Sequence, residues 1–404
     1  MVSTTWRATL VRTAACAALA AAALWAPAAA AQDPAAGSTA PAATTPPPLP
    51  SERPDTALLP PAGPHRYFVN GRGGGVTIIN GDTAKIEGTV NGPGSIGFAV
   101  APDQSRFYVS ETIWTRANRG KRQDLLSIYD GASLELLHEI ELPGRLIASG
   151  RTPYFNISAD GRRGYVYNFE PAPSVITVDL VGRKVLSETP TPGCGLVFPF
   201  RSEGFASLCA DGSLLTVTLD GRGRAQAAAA PVFFDAENDP VFEESIVDRS
   251  TGQAFFLTYT GLVHQVELGA EPKFQPAWSV QRAAGLGPAT TAPDHKTWRP
   301  GGRRPLAYHR PSGRLYVLMH EGRHWTQKQA GSQVWVLDAK SQEIVRRFDL
   351  PTNGYVVSVT QDAAPLLYVT SEEGALSVMD PETGKVLRSI DKLGRIALAA
   401  VIGF

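Results

Sequence analysis

His320, Glu321 and His324 stand in the order H-E-x-x-H, which is the spacing of the zinc-dependent proteases. That chemistry needs both histidines on one face of a helix, with the glutamate beside a metal-bound water. The surroundings predict a different structure. Residues 315–319 have the pattern of a strand, the glycine between the histidines is a poor helix former, and the next strand is expected near Val334. The five residues are therefore predicted to form a hairpin loop and not a metal site.

Other candidate motifs also favour structural roles. Gly71–Gly75 could cradle a phosphate only if it led into a helix, and here it joins two expected strands, so a hairpin turn is predicted. No G-x-S-x-G motif occurs at a strand-to-helix turn, as a nucleophile elbow would require. The remaining histidines are isolated in the sequence, at His65, His138, His264, His295 and His309. Each is interpreted as a surface or hydrogen-bonded core residue, and no catalytic, cofactor-binding or metal-binding residue is assigned.

The basic run Arg119–Arg122 is expected in a long hairpin loop. A solvated loop is the simplest interpretation, and a docking surface for an acidic partner is the alternative. The whole chain balances 38 Lys and Arg against 38 Asp and Glu. This neutrality argues against binding to nucleic acid, which normally requires a basic domain.

These segments belong to a unit that repeats from Arg66 onward. Its last copy comprises a strand at 365–369, a second strand at 375–380 that ends in Asp380, a turn, and a third strand at 386–390. Alternating apolar and polar residues bounded by Gly, Pro and Asp are typical of antiparallel hairpins. The position of Asp380 recurs at Asp338, Glu267, Asp220, Asp179, Asp130 and Asn80, at a mean interval of 50 residues.

Seven such units predict an all-β fold, namely a seven-bladed β-propeller of four-stranded antiparallel blades. The 39 glycines and 32 prolines agree with its many turns. Tyr67–Val90 provides only three strands for the first blade, and the apolar run 396–402 is predicted to supply the fourth and close the ring. The longest interval contains an insertion, roughly Pro272–Pro300, which is a candidate binding loop.

The N-terminal residues 1–31 have the pattern of a secretory signal peptide. Two arginines precede an apolar, Ala-rich stretch at 13–25, and Ala29–Ala31 resembles a cleavage site. A retained membrane anchor is the alternative, but the apolar stretch is shorter than the ~20 residues that span a bilayer. Residues 32–64 are rich in Ala, Pro and Thr and are predicted to be a flexible tail, or less simply a segment that wraps a partner. Residues 65–404 are predicted to form a single propeller domain, exported to the periplasm without a membrane anchor.

The mature chain would retain two cysteines, Cys194 and Cys209. In an oxidising compartment an even pair is most simply a disulfide, and two buried free thiols are the alternative.

Four ordered segments resemble the heavy subunit of the quinoprotein amine dehydrogenases, the family of methylamine and aromatic amine dehydrogenases. They are Thr115–Asp124 with Ile128–Asp130, Gly193–Cys194 with Leu208–Leu215, Tyr259–Gln265, and Trp298–Gly302 with His309–Val317. Together they extend over nearly the whole expected domain. The first-blade hairpin departs from the methylamine members, which carry a longer loop where this chain has Gly71–Gly75, and this leaves the size of the substrate open.

The resemblance implies a seven-bladed propeller and a Cys194–Cys209 disulfide. It also implies an α2β2 assembly with a small light chain, which carries the cofactor tryptophan tryptophylquinone. The expected reaction is oxidative deamination of a primary amine to an aldehyde and ammonia, with electrons passed to a copper protein such as amicyanin or azurin. In this family the quinone and the catalytic base lie on the light chain, so the chain alone is expected not to be catalytic.

Two alternatives remain at the level of the sequence. A free-standing metal- or quinone-dependent propeller enzyme would need carboxylates or Asn side chains converging on the central channel. No acidic position repeats on the expected inner strands. The other alternative is a stand-alone periplasmic propeller with a binding or scaffold role.

Overall fold

The computed structural model describes residues 58–71, 74–92, 96–147, 149–394 and 396–401. The predicted signal peptide, residues 1–31, lies outside these ranges, as does most of the predicted tail at 32–64. The last residues of that tail contact the propeller, since the Leu59 N–H donates to the Ala132 carbonyl oxygen over 2.8 Å. None of the helices in the described ranges has the length and apolar character that crossing a membrane would need.

The described residues form seven antiparallel sheets, as predicted. Blade one contains β1 (Arg66–Gly71), β2 (Val76–Asn80) and β3 (Lys85–Val90). Blade two contains β4 (Gly97–Val100), β5 (Arg106–Arg116), β6 (Arg119–Asp130) and β7 (Leu136–Glu141). Blade three contains β8 (Arg145–Leu146), a 3₁₀ turn (Thr152–Tyr154), β9 (Phe155–Ile157), β10 (Arg163–Glu170), β11 (Ser174–Asp179) and β12 (Lys184–Pro190).

The other blades follow in chain order. Blade four contains β13 (Cys194–Phe200), β14 (Gly204–Cys209), β15 (Leu214–Leu219) and β16 (Ala225–Ala229). Blade five contains β17 (Ile246–Asp248), β18 (Gln253–Leu257), β19 (Leu262–Glu267), β20 (Lys273–Phe274), β21 (Trp278–Ser279) and the short helix α1 (Val280–Ala283). Blade six contains β22 (Thr297–Pro300), β23 (Leu306–His309), β24 (Arg314–Gly322), β25 (Gly331–Asp338) and β26 (Glu343–Gly354). Blade seven contains β27 (Val356–Val359), β28 (Leu367–Thr370), β29 (Leu376–Met379) and β30 (Val386–Ile390).

The C-terminal strand β31 (Ile396–Val401) completes blade one. It pairs antiparallel with β1, with Tyr67 opposite Val401, and the order of the sheet is β3-β2-β1-β31. This confirms the prediction that the last strand closes the ring. The pairing covers the edge of β1 that would otherwise lie open.

Apolar packing between consecutive blades forms the core. Each of the seven junctions has its own cluster of buried side chains, including the junction of blades seven and one. At that junction the rings of Tyr67 and Tyr368 stack with their centroids 4.3 Å apart. The Tyr368 hydroxyl donates to the His65 carbonyl oxygen over 2.7 Å. The ring is therefore closed by side-chain packing as well as by strand pairing.

The recurring acidic position has a conformational cause. At its last copy, the Asp380 carboxylate accepts hydrogen bonds from the backbone N–H groups of Glu382 and Thr383. The corresponding side chains at Asp338, Asp220, Asp179, Asp130 and Asn80 each accept two backbone N–H groups in the same turn. A short carboxylate or amide that bonds the chain just ahead of it fixes the turn between the third and fourth strands. Glu267 is the exception, and it pairs with Arg201 and Lys273 instead.

His65 bridges the two blades that close the ring. Its Nδ1 lies 2.7 Å from an Asp82 carboxylate oxygen in blade one, and its Nε2 lies 3.1 Å from Asp362 in blade seven. Burial lowers the pKa of His65, but the hydrogen bonds to Asp82 and Asp362 outweigh it, and the pKa is raised above 6.5. The imidazolium form can donate to both carboxylates at once.

We expect this bridge to make stability depend on pH. Because the pKa of His65 is higher in the folded state, the bridge contributes fully to the free energy of unfolding below about pH 6.5. This contribution is lost as the pH rises through the folded-state pKa. His65→Gln should remove this loss of stability with rising pH. Melting temperatures of the parent protein and of the variant are measured from pH 5.5 to 9. The parent should melt at a higher temperature than the variant at the acidic end, and the two should converge at the alkaline end. Parallel curves for the two proteins would contradict this role.

The structure joins Cys194 to Cys209 in a disulfide, at directly paired positions of β13 and β14. The two residues are 15 positions apart, so the bond closes a short loop.

Replacing both cysteines with serine should lower the free energy of unfolding by about 3 kcal/mol, because the unfolded chain gains the freedom of that loop. Thermal unfolding with and without reductant measures the effect. Reductant should lower the melting temperature of the parent protein by several degrees and leave the Cys194→Ser/Cys209→Ser variant unchanged. An equal response in both proteins would argue against a stabilising disulfide.

Candidate partner-binding face

Strand direction divides the propeller into two faces. Since each blade is antiparallel, the turns between second and third strands and the connections between blades all lie at one end, which we call the loop face. The turns fixed by the recurring carboxylates lie at the opposite end. Most of the segments that carry the family resemblance reach the loop face, among them the β5–β6 hairpin, the disulfide of blade four and the β18–β19 turn.

The inner strands of blades three and six are each interrupted midway. In blade three, β8 and β9 both pair with β10, and residues 147 and 149–154 lie outside the sheet between them. In blade six, β22 and β23 both pair with β24, and residues 301–305 separate them. Inner strands line the centre of a propeller, so these interruptions place side chains in the central channel.

A buried polar network joins three blades across that channel. The Thr152 N–H donates to Glu244 Oε1 over 3.3 Å, and Arg304 Nη2 lies 3.2 Å from Glu244 Oε2. Arg304 Nη2 also donates to the Thr152 hydroxyl over 2.6 Å. Glu244 is 2% exposed and Arg304 is 8% exposed. Ion pairs at this depth need full hydrogen bonding to offset their desolvation, and this one links blades three, five and six.

A cavity of about 470 Å³ opens above this network. We call it the channel-mouth cavity; its lining includes Arg151, Phe242, Glu243, Glu244, Tyr259, Gly302, Arg303, Gln327, Lys328, Tyr355 and Glu372. Arg151 forms an ion pair with Glu243 at its edge. Burial raises the pKa of Tyr259 above its ordinary value of 10. The cavity therefore combines aromatic walls with groups of both charges.

Large apolar side chains stand exposed on the loop face. Trp325 is 55% exposed and lies beside the channel-mouth cavity, with its ring 6.0 Å from that of Tyr259. Phe169, at the end of β10, is 53% exposed, and Val232, in the connection to blade five, is 61% exposed. Leu286 is exposed in the predicted insertion, which contains β20, β21, α1 and β22 as well as loop. An exposed aromatic side chain beside a cavity, as at Trp325, is a feature of surfaces that bind other proteins.

Two further cavities open on the same face. One, of about 720 Å³, lies between blades two and three at the foot of the β5–β6 hairpin, with Trp114, Arg145 and Glu170 in its lining. The other, of about 570 Å³, lies beside the β24–β25 hairpin, with Trp298, His320 and Asn353 in its lining.

The H-E-x-x-H residues lie partly on β24, because this strand continues to Gly322, beyond its predicted end. His320 is buried, and its Nε2 lies 2.8 Å from the Thr326 hydroxyl. Burial, helped by the charge of Arg299, lowers the pKa of His320 to about 4. Glu321 is exposed and pairs with Lys296. No group of three or more His, Cys, Asp or Glu side chains in the described ranges is arranged to hold a metal ion.

The basic run is also placed differently from its prediction as a loop. Arg119–Arg122 begins β6, because β5 and β6 remain paired as far as Arg116 and Arg119. The glycine-rich turn follows β1, with Gly74 and Gly75 both at positive φ, while residues 72 and 73 lie outside the described ranges.

Several of the isolated histidines have structural contacts. His309 lies between the Ser312 hydroxyl and the Asp362 carbonyl oxygen. His264 is buried, which lowers its pKa to about 4.

Sequence reasoning missed the channel network and the exposed tryptophan. Glu244, Arg304 and Thr152 are far apart in the sequence and carry no local motif. Trp325 follows the H-E-x-x-H residues in a predicted hairpin loop, and a large aromatic residue at such a tip was the one available signal.

The closed ring of seven antiparallel blades, with a cavity over the buried Arg304–Glu244 pair, defines a β-propeller protein. The family model of the methylamine dehydrogenase heavy chain (MADH) matches residues 67–402. The chain belongs to the methylamine dehydrogenase heavy chain family, which confirms the resemblance found in the sequence.

Curated relatives agree with this assignment. The methylamine dehydrogenase heavy chain of Methylorubrum extorquens is 33% identical over 322 residues, covering 78% of this chain and 76% of the relative. That of Paracoccus versutus is 32% identical, covering 79% of this chain and 73% of the relative. That of Methylophilus methylotrophus is 30% identical, covering 79% of this chain and 78% of the relative.

Solved structures with low identity share the fold alone. The dihydro-heme d1 dehydrogenase NirN is 15% identical, with a TM-score of 0.55, covering 85% of this chain and 76% of that chain. A functionally unknown protein from Desulfotomaculum acetoxidans is 12% identical, with a TM-score of 0.57, covering 83% of this chain and 98% of that chain.

Proposed function

We propose that this chain is the non-catalytic heavy subunit of a periplasmic quinoprotein amine dehydrogenase. The assembly oxidises primary amines to an aldehyde and ammonia and passes electrons to a copper protein. The observation that carries the proposal is the family match over residues 67–402, nearly the whole described domain. Membership in a heavy chain family supports a complex with a light chain, and we propose an α2β2 tetramer.

The proposed cofactor, tryptophan tryptophylquinone, forms from two tryptophans of the light chain. When present it supplies the two-electron oxidation of the amine. Because it is part of the partner's own chain, this subunit needs no residues that ligate it. The channel-mouth cavity fits the subunit's proposed task, since its aromatic walls can exclude water where a partner seats.

We propose that the light chain seats on the loop face. Interfaces between permanent partners are rich in apolar groups, and this face exposes Phe169, Val232 and Trp325. Trp325 stands beside the channel-mouth cavity, where a buried aromatic anchor contributes most to binding. The buried Arg304–Glu244 pair links blades five and six beneath the loop face. This link would hold the loop face in one conformation before the partner binds.

Co-expression with the light chain gene from the same organism tests the proposal. The two chains should co-purify on a sizing column, and only the complex should reduce a redox dye in the presence of an amine. Robust amine-dependent turnover by the heavy chain alone, or no association of the two chains, would contradict it.

Substituting the exposed tryptophan tests the location of the interface. Trp325→Ala should weaken association by about 2–4 kcal/mol, roughly 30- to 1000-fold in Kd, because truncation of an aromatic anchor uncovers the centre of the interface. Dye reduction should recover when excess light chain is added. Val345→Ala, at an exposed position of the outer strand β26, is the matched control and should leave Kd unchanged. Equal Kd values for both variants would place the light chain elsewhere.

A further inference from the structure

The β5–β6 hairpin extends beyond the rest of blade two. The first strand, β4, pairs with β5 only as far as Ser110, and the outer strand β7 pairs with β6 only from Leu125. The β5–β6 ladder nevertheless continues to the pairing of Arg116 with Arg119. Residues 112–122 therefore form a two-stranded arm on the loop face, which we call the basic arm.

The tip of the basic arm carries cations without counterions. Arg116, Arg119 and Lys121 are all exposed, and their side chains form no ion pair with any described residue. No Asp or Glu occurs between Ile113 and Gln123. Three like charges on one tight hairpin repel each other, so the arm keeps a concentrated positive field at its tip.

The fourth cation of the arm has a different role. Arg122 Nε and Nη2 each lie 2.7 Å from the Asp124 carboxylate, and Nη2 also donates to the Leu146 carbonyl oxygen. Its guanidinium lies over the Trp114 ring, 5.9 Å from the centroid. These contacts attach the foot of the arm to blade three, which restricts the movement of the arm and of its three tip charges.

The cavity at the foot extends this surface toward blade three. It lies between Trp114 and the Arg145–Glu170 ion pair, with exposed Phe169 next along β10. The basic arm therefore carries positive charge at its tip, and the cavity at its foot has aromatic residues at its margin. This combination fits a partner protein whose binding surface has carboxylates around a smaller apolar area.

The placement of the charges favours a transient partner. Exposed charges accelerate encounter and contribute little lasting affinity, whereas permanent interfaces bury apolar surface. Polybasic lipid-binding segments usually carry four to eight cations, and the arm has three at its tip. The proposed enzyme needs one partner that binds and leaves in every cycle, namely its electron acceptor.

We propose that the basic arm docks the electron-accepting copper protein through a cluster of carboxylates on that protein. This proposal rests on the proposed function. Oxidation of one amine releases two electrons, so two copper centres are each reduced from Cu(II) to Cu(I) per turnover. Each enzyme therefore needs repeated, fast and reversible encounters with the acceptor.

The test uses the heavy–light complex and the copper protein from the same organism. The variant Arg116→Gln/Arg119→Gln/Lys121→Gln removes the three tip charges. The control Lys184→Gln/Arg222→Gln/Lys385→Gln removes three exposed cations from turns on the opposite face, so both variants have the same net charge. Stopped-flow reduction of the copper protein is followed from 10 mM to 1 M salt, beside amine-dependent reduction of a neutral dye.

At low salt the arm variant should reduce the copper protein about 10-fold more slowly than the parent complex, and the difference should vanish near 1 M salt. Dye reduction should not change, and the control variant should resemble the parent. Equal salt dependence in all three complexes would overturn the docking role while leaving the proposed function intact. Absence of amine-dependent dye reduction in the parent would overturn both. Loss of binding to vesicles containing 30% anionic phospholipid, with unchanged copper reduction, would assign the arm to a membrane surface and overturn the proposal.

Discussion

A chain that ends at Gly394 is expected not to fold into a closed propeller. The deletion removes β31, which pairs with β1 and completes blade one. It exposes the inner edge of β1 and opens the ring at the junction where Tyr67 and Tyr368 stack. The free energy of unfolding of a domain is only ~5–15 kcal/mol, and loss of a whole inner strand is expected to remove most of it. Calorimetry should show no cooperative transition, and sizing chromatography should show aggregates.

Deletion of residues 402–404 alone is the control, because it leaves β31 complete. This shorter deletion should keep a single transition within a few degrees of the parent protein. If the chain ending at Gly394 remained monomeric and melted near the parent temperature, the ring would not depend on its last strand.

The second large effect is expected from Glu244→Ala. This carboxylate neutralises Arg304 at a site where both side chains are almost fully buried, and it accepts the Thr152 N–H. Removing one member of a buried ion pair typically costs about 3–5 kcal/mol, because the remaining charge stays in a poorly solvating environment. Chemical denaturation should show a lower midpoint with an unchanged slope.

Two comparisons make this result specific. Glu244→Gln keeps the shape and the acceptor oxygen but loses the charge, and should destabilise the protein less than alanine does. Glu373→Ala, at an exposed acidic position after β28, should change stability by less than about 0.5 kcal/mol. Equal midpoints for the alanine variants of Glu244 and Glu373 would contradict a stabilising channel network.

The sequence predicted the ring because its signals are local. Asp380 and its counterparts, except Glu267, each accept hydrogen bonds from backbone N–H groups two to four residues ahead, so their effect is contained within one turn and recurs wherever the turn recurs. The apolar run at 396–402 could be assigned to blade one because the first unit lacked a strand. The family resemblance relied on the same kind of local, ordered match.

The functional surface was predicted less completely, for physical reasons. Arg119–Arg122 was placed in a loop because charged residues at a hairpin tip lack the alternating pattern of a half-buried strand, yet backbone pairing continues there. The contact of Glu244 with Arg304 joins two blades through the folded ring, and no local pattern encodes it. Which exposed side chains surround the channel mouth likewise depends on the closed ring.

Closure of the ring by its final strand also has a consequence for biosynthesis. Since β1 receives its inner neighbour from β31, blade one cannot be completed until β31 has been synthesised. Until then the ring is not closed. The disulfide of blade four would likewise form only in an oxidising compartment. In the proposed exported subunit, closure of the ring would therefore follow the arrival of β31 beside β1.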